Sequence, residues 1–145
     1  DLHTILTYLC DNARIAALEL PDAKVRLVLA SHNRYPVIRV YDSGKQFDEN
    51  VLARLGIEQN TSREGGSGWG LFTVFGLLDK YMASFTLDEE PQVLGFSKFI
   101  EIAFDGQHSF TVRTCRNSVA LACASRKNFN VILYDSDVLR DGTNG

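Results

Sequence analysis

The sequence predicts an α/β (α+β) domain: a two-layer sandwich with about three helices on one face of a mixed, mainly antiparallel sheet, and extra strands towards the C-terminus. Three observations predict it. Apolar residues recur at three- and four-residue spacing in stretches that begin near Leu2, Phe47 and Leu71. Two alternating runs flank a turn between Lys24 and Tyr41, and strand-like apolar runs dominate the chain after Ser84. A length of 145 residues, 45% of them hydrophobic and 23% charged, suits one globular domain with a substantial core.

From Leu2 to Leu20, the residues Leu2, Ile5, Leu6, Leu9, Ala13, Ala16, Ala17 and Leu20 mark one helical face, and Pro21 ends it. Asn12 lies one turn before Ala16, so its amide falls at the edge of that face. It is either an ordinary boundary asparagine or a group that needs a partner. Next, Lys24 to Ala30 and Pro36 to Tyr41 read as an antiparallel hairpin around Ser31-His32-Asn33-Arg34-Tyr35. In its second strand Ile38, Val40 and Asp42 share a face, so a carboxylate ends an apolar row. An ionised carboxylate there needs hydrogen-bond donors, which a ligand amino group or its own turn, Ser43-Gly44, could supply.

Phe47 to Leu55 follows as a short helix with Asp48 as its cap, and the polar run to Glu64 reads as a mobile lid. Gly65, Gly66, Gly68 and Gly70 then crowd four glycines into six positions just before a helix expected from about Leu71 to Ala83. Bare backbone N–H groups at the positive end of a helix dipole suit an anion, most naturally phosphate. A glycine cluster alone is more often a flexible connection. No Gly-Lys-Ser/Thr follows it, and it is preceded by polar chain and not by a buried strand, which sets aside the P-loop and the dinucleotide fingerprint.

Beyond this helix the pattern predicts a short strand at Ser84 to Leu87 and a long one at Gly95 to Phe104 with Phe96, Ile100, Ile102 and Phe104 on one face. Asp105-Gly106 is expected to turn a hairpin into His108 to Cys115, Arg116 to Lys127 fits a strand or a helical turn, and a last strand runs from Phe129 to Tyr134. The whole reads as a single domain over residues 1–135 with a polar tail at 136–145.

A net charge of −3 without a basic stripe argues against a nucleic-acid partner. Cys10, Cys115 and Cys123 are odd in number and far apart, which argues against a disulfide framework or a zinc site and for a reducing, cytoplasmic interior. His3, His32 and His108 have no carboxylate or cysteine near them by spacing and read as surface or turn residues. No run reaches the roughly 18 apolar residues of a membrane span. Because the chain enters a helix almost at its first residue, we expect it to be cut from a longer protein, one that could itself be membrane-anchored.

Taken in order, Asp11-Asn12-Ala13, Asp42-Ser43-Gly44 and Gly66-Ser67-Gly68-Trp69-Gly70-Leu71 resemble the N, G1 and G2 boxes of the ATP-binding domain of sensor histidine kinases. That domain belongs to the GHKL superfamily, whose Bergerat fold is shared by DNA gyrase, heat-shock 90 chaperones and MutL. The resemblance covers about Leu2 to Phe104 and includes Phe47 to Leu55, with 105–135 as extra strands.

It implies ATP and Mg²⁺ as cofactors, with Asn12 on the metal and Asp42 accepting from the adenine amino group. Gly44, Arg63, Gly66, Ser67, Gly68, Trp69, Gly70 and Leu71 complete the implied nucleotide set. The implied partners are a histidine-bearing dimerisation domain, which would receive the γ-phosphoryl group, and a response regulator. Nothing in the chain resembles the acceptor helix, so it should not phosphorylate itself. Two positions depart from the pattern. Tyr8 occupies the catalytic position where relatives carry a polar or acidic residue, and Gln46 replaces the second glycine of the G1 box. They motivate one alternative to the kinase, a degenerate interaction module of the same fold; a second alternative is a serine kinase of the anti-sigma type, which shares the fold and is about this size.

Overall fold

A computed structural model of the chain describes residues 1–18, 20–55, 68–125 and 129–134. Helix α1 spans Leu2–Ala17 and buries Ile5, Leu9, Ala13, Ala16 and Ala17 of the expected stripe, while Leu6 is half-buried and Leu2 and Leu20, at and beyond the helix ends, are exposed. It stops short of Leu20, and the Leu18 N–H closes the last turn on the Arg14 carbonyl at 3.1 Å. Strands β1 (Val25–His32) and β2 (Tyr35–Asp42) pair in register from Val25 opposite Asp42 to His32 opposite Tyr35. The turn between them is tighter than its sequence suggests. Only Asn33 and Arg34 make it, both at positive φ (49° and 74°), the backbone that a two-residue hairpin turn requires.

Helix α2 is short, Glu49–Ala53, and the Asp48 side chain accepts from the Asn50 N–H at 2.8 Å as its N-cap. Helix α3 spans Gly68–Tyr81, so it begins inside the glycine cluster, three residues before the expected start. Its Val74, Phe75 and Leu78 are buried, while Tyr81 at its end and Met82 just beyond it are exposed, although apolar residues at helical spacing from Leu71 would be expected to face the core. Strands β3 (Ser84–Asp88) and β4 (Lys98–Ala103) follow, antiparallel to each other. Phe96 lies outside β4 and packs against Tyr41 on the far side of the sheet, so it does not share a face with Ile100 and Ile102 as expected.

The expected hairpin between β4 and the next strand does not form. Strand β5 (Phe110–Thr114) pairs in parallel with β3, on the side away from β4. The physical reason lies in the connection. Ser84 Oγ donates to Asp105 Oδ1 at 2.8 Å and accepts from the Ser109 N–H at 3.0 Å, and the His108 N–H reaches the Met82 carbonyl at 3.1 Å. These bonds carry the chain across the start of β3. The ambiguous stretch after β5 is a helix, α4 (Asn117–Ala124), and β6 (Phe129–Leu133) then pairs in parallel with β5.

The sheet therefore has the order β1-β2-β4-β3-β5-β6, antiparallel in its first half and parallel in its second. One face carries Ile38, Val40, Ile100, Ile102, Leu87 and Val112 beneath the helices and forms the core with residues from all four of them. The opposite face carries Arg39, stacked 4.2 Å from the Phe99 ring centre, and a cleft of about 480 Å³ lined by Val28, Tyr35 and Glu101 among others. No helix among the described residues is long and apolar enough to cross a membrane.

Candidate functional site

Asp42 closes β2 on the helix-covered face and is 4% exposed. Its period-two placement beside Ile38 and Val40 puts a carboxylate at the end of the core, where it must be hydrogen-bonded. Among the described residues two donors reach it, and both end on Oδ1: the Gly44 N–H at 2.8 Å and the Lys98 ammonium at 2.7 Å. The first is the carboxylate capping its own turn. The second is a cross-strand partner, because the β2–β4 register sets Asp42 directly opposite Lys98.

Lys98 is 1% exposed and also donates to the Lys45 carbonyl at 2.6 Å, with its ammonium 5.4 Å from the Phe47 ring centre. Sequence reasoning missed this residue. The signal was present, since Lys98, Ile100 and Ile102 alternate on one face of β4.

Gly44 follows at a point of close approach. A Cβ there would stand 2.3 Å from the Ala16 carbonyl oxygen and 2.4 Å from its carbon, so only glycine lets the turn lie against the backbone of α1. Asn12, half-buried, is one turn upstream of Ala16, about 6 Å along the axis. Tyr8 stands a further turn up the helix and is 37% exposed. The edge amide and the carboxylate end of β2 thus belong to one neighbourhood.

Helix α3 brings its N-terminus to the same end. Asp1, at the start of α1, accepts from Lys80 Nζ at 2.7 Å and from the Tyr81 hydroxyl, both at the end of α3. The two helices therefore run antiparallel. Their 16 and 14 residues make about 24 and 21 Å of helix, so Gly68 falls towards the Asn12–Ala17 half of α1. Gly68, Trp69 and Gly70 are the first three helical residues, whose N–H groups have no partner within the helix. Leu71 is half-buried and packs against the core. Arg63, Gly66 and Ser67, with the proposed lid, lie outside the described residues.

The loop after Asp42 is held from the other side by Gln46 and by two residues that sequence reasoning missed, Glu89 and Arg116. Gln46 Nε2 donates to the Ser97 carbonyl at 2.8 Å and the Glu89 carbonyl at 3.3 Å, so its amide nitrogen is committed to the ends of the strands. Arg116, just before α4, donates to the Phe47 carbonyl at 3.0 Å and through two nitrogens to Glu89, which is 3% exposed. Burial works to lower the Arg116 guanidinium, and the hydrogen bonds to Glu89 and its charge raise it above its ordinary value. Ser118 on α4 donates to Glu49 on α2 at 2.7 Å. Residues 116–118 thus brace the turn that carries Asp42.

This end of the molecule gathers one buried carboxylate acceptor, one neutral amide and the N–H groups of a helix start. Such a set suits a ligand with an amino-bearing ring at one end and an anion at the other. Among the described residues no cluster of three or more His, Cys, Asp or Glu could hold a metal by itself. Mg²⁺ does not need one, because it binds through one or two protein oxygens together with phosphates and waters. The Asn12 carbonyl oxygen, hard and neutral, fits that requirement.

No curated protein matches the chain. Residues 1–114 match the family described as histidine kinase-, DNA gyrase B- and HSP90-like ATPase, a match that ends with β5 and leaves α4 and β6 beyond it. The order of helix, hairpin, helices and mixed sheet fits that assignment, and so do the three boxes. The chain belongs to the histidine kinase-, DNA gyrase B- and HSP90-like ATPase family and carries its ATP-binding domain.

Proposed function

We propose that this domain binds Mg-ATP and works as the ATP-binding domain of a sensor histidine kinase, donating the γ-phosphoryl group to a histidine on a separate dimerisation domain. The observation that carries the reading is Asp42: buried under α1, with both of its hydrogen bonds among the described residues on Oδ1. Oδ2 is then the acceptor for the adenine amino group. The phosphates lie at the start of α3, on the N–H groups of Gly66, Gly68 and Gly70 with Ser67 and Trp69 between them, and Arg63 supplies a charge contact.

When bound, Mg²⁺ would neutralise charge on the phosphates, and Asn12 would hold it through its side-chain oxygen. The domain contributes position and charge stabilisation, which is most of what phosphoryl transfer asks of a protein. Tyr8 stands beside this site and can orient the acceptor through its hydroxyl. The response regulator receives the group downstream, and the chain does not phosphorylate itself.

Mixing the purified chain with γ-labelled Mg-ATP and a helical dimerisation domain that carries a histidine tests the transfer. Acid-labile, alkali-stable label on that histidine is expected. Label on serine would favour the anti-sigma type of kinase. Nucleotide binding without any transfer to several such domains would favour the interaction module.

A further inference from the structure

The polar end of the sheet holds two ion pairs, Asp42 with Lys98 and Glu89 with Arg116. Register sets Asp42 opposite Lys98 across β2 and β4, and Asp88 opposite Phe99 across β3 and β4. Glu89 follows Asp88 at the end of β3. Thr114 Oγ1 donates to Glu89 Oε1 at 2.6 Å, and Arg116 Nε donates to the same oxygen at 3.0 Å. Asp42 with Lys98 and Glu89 with Arg116 are therefore two ion pairs at this end of the sheet, and Asp42, Lys98 and Glu89 are 4%, 1% and 3% exposed.

A buried carboxylate that loses its countercharge goes neutral, because burial penalises the charged form. A neutral carboxyl is no longer only an acceptor; it also donates through its O–H. That difference decides which purine Asp42 can read. An ionised carboxylate accepts from a 6-amino group and repels a 6-oxo group, whereas a carboxylic acid donates to a 6-oxo group.

We infer that Lys98 is a positioning residue that sets the base selectivity of the nucleotide site. Its ammonium supplies the countercharge to Asp42 and occupies Oδ1 at 2.7 Å, which leaves Oδ2 as the acceptor for a 6-aminopurine. Lys98 does this without touching the base. The inference rests on the reading of Asp42 as the adenine acceptor.

The test is a calorimetric titration of the full chain with ADP and with inosine diphosphate, whose 6-oxo group replaces the amino group. The unaltered protein prefers ADP by about tenfold, the value of one hydrogen bond to a charged group. In Lys98→Met the preference falls to about twofold or less, because the neutral carboxyl accepts either base. A role limited to holding the fold would weaken both nucleotides together and leave their ratio unchanged.

Lys98→Gln, whose amide can still donate to the Lys45 carbonyl, is the second variant, and it is used alone if Lys98→Met does not fold by thermal unfolding. Asp42→Asn separates the two levels of the reading. If the unaltered protein shows no preference, or Asp42→Asn keeps it, the adenine assignment fails. If Asp42→Asn abolishes the preference and a folded Lys98 variant keeps it in full, the assignment stands and the role of Lys98 is overturned.

Discussion

Gly44→Ala probes the contact that joins the turn after Asp42 to α1. The added Cβ would lie 2.3 Å from the Ala16 carbonyl oxygen, 2.4 Å from its carbon and 2.8 Å from its Cβ. The colliding atoms are mainly backbone, in a helix turn with Ala13 and Ala17 also buried, so no side chain can rotate away. Relief requires the turn and the helix to part by about 1 Å, and overpacking of this kind costs about 3 kcal/mol. At about 2–4 °C per kcal/mol for a domain near this size, the melting temperature falls by about 6–12 °C. The same parting moves Asn12 away from Asp42, so affinity for Mg-ADP falls with stability. Differential scanning calorimetry with and without nucleotide measures both. A melting temperature within about 1 °C of the unaltered protein would refute the packing argument, since the collision would then have been absorbed without cost.

Asp42→Asn should weaken ADP binding by about 1.5–3 kcal/mol, tenfold or more, and an unchanged dissociation constant would remove the carboxylate from the site. Asn12→Ala should bind ADP with little dependence on Mg²⁺; a dependence equal to that of the unaltered protein would assign the metal to another ligand. Cys115 makes a pH prediction. Its hydrogen bond to Glu90, and then burial, raise the thiol above its ordinary 9.0. The folded value exceeds the unfolded one, so the stability from that bond is complete below about pH 9 and is lost as pH rises through the raised value. Alkylation at about pH 8 should accordingly be slower at Cys115 in the folded chain than in urea, and faster in Glu90→Gln, with equal rates counting against the bond.

What could be read from the sequence is what depends on local period. The α1 stripe, the face shared by Ile38, Val40 and Asp42, and the Asp48 cap all follow from spacing within one element. The resemblance to the family was legible for the same reason, because it rests on short runs. The partners of Asp42 on other strands were not. Lys98 is a residue type that normally stays in water, and its partner lies 56 positions earlier, so only the strand register reveals the pair.

The connection after β4 was misread for a related reason. Asp105-Gly106 carries a local hairpin signal, and bonds from Ser84 and His108 to distant backbone override it. Helix α4 was ambiguous because Ser118, Val119, Ala120, Leu121 and Cys123 suit either a strand or a helix. Its burial of Val119, Ala120 and Cys123 against the core decides the matter. Arg116 and Glu89 could not be linked to the site until α4 was placed beside α2.

The most direct test of the central claim is a titration of the purified chain with ATP and ADP, with and without Mg²⁺. It is followed by the fluorescence of Trp69, the only tryptophan, which sits in the first turn of α3, and repeated by calorimetry. Saturable binding at about micromolar nucleotide, tightened by Mg²⁺ and accompanied by a change in Trp69 emission, is the predicted result. No heat and no fluorescence change at about millimolar nucleotide would contradict the account, and would leave this end of the sheet as packed ion pairs with no nucleotide site.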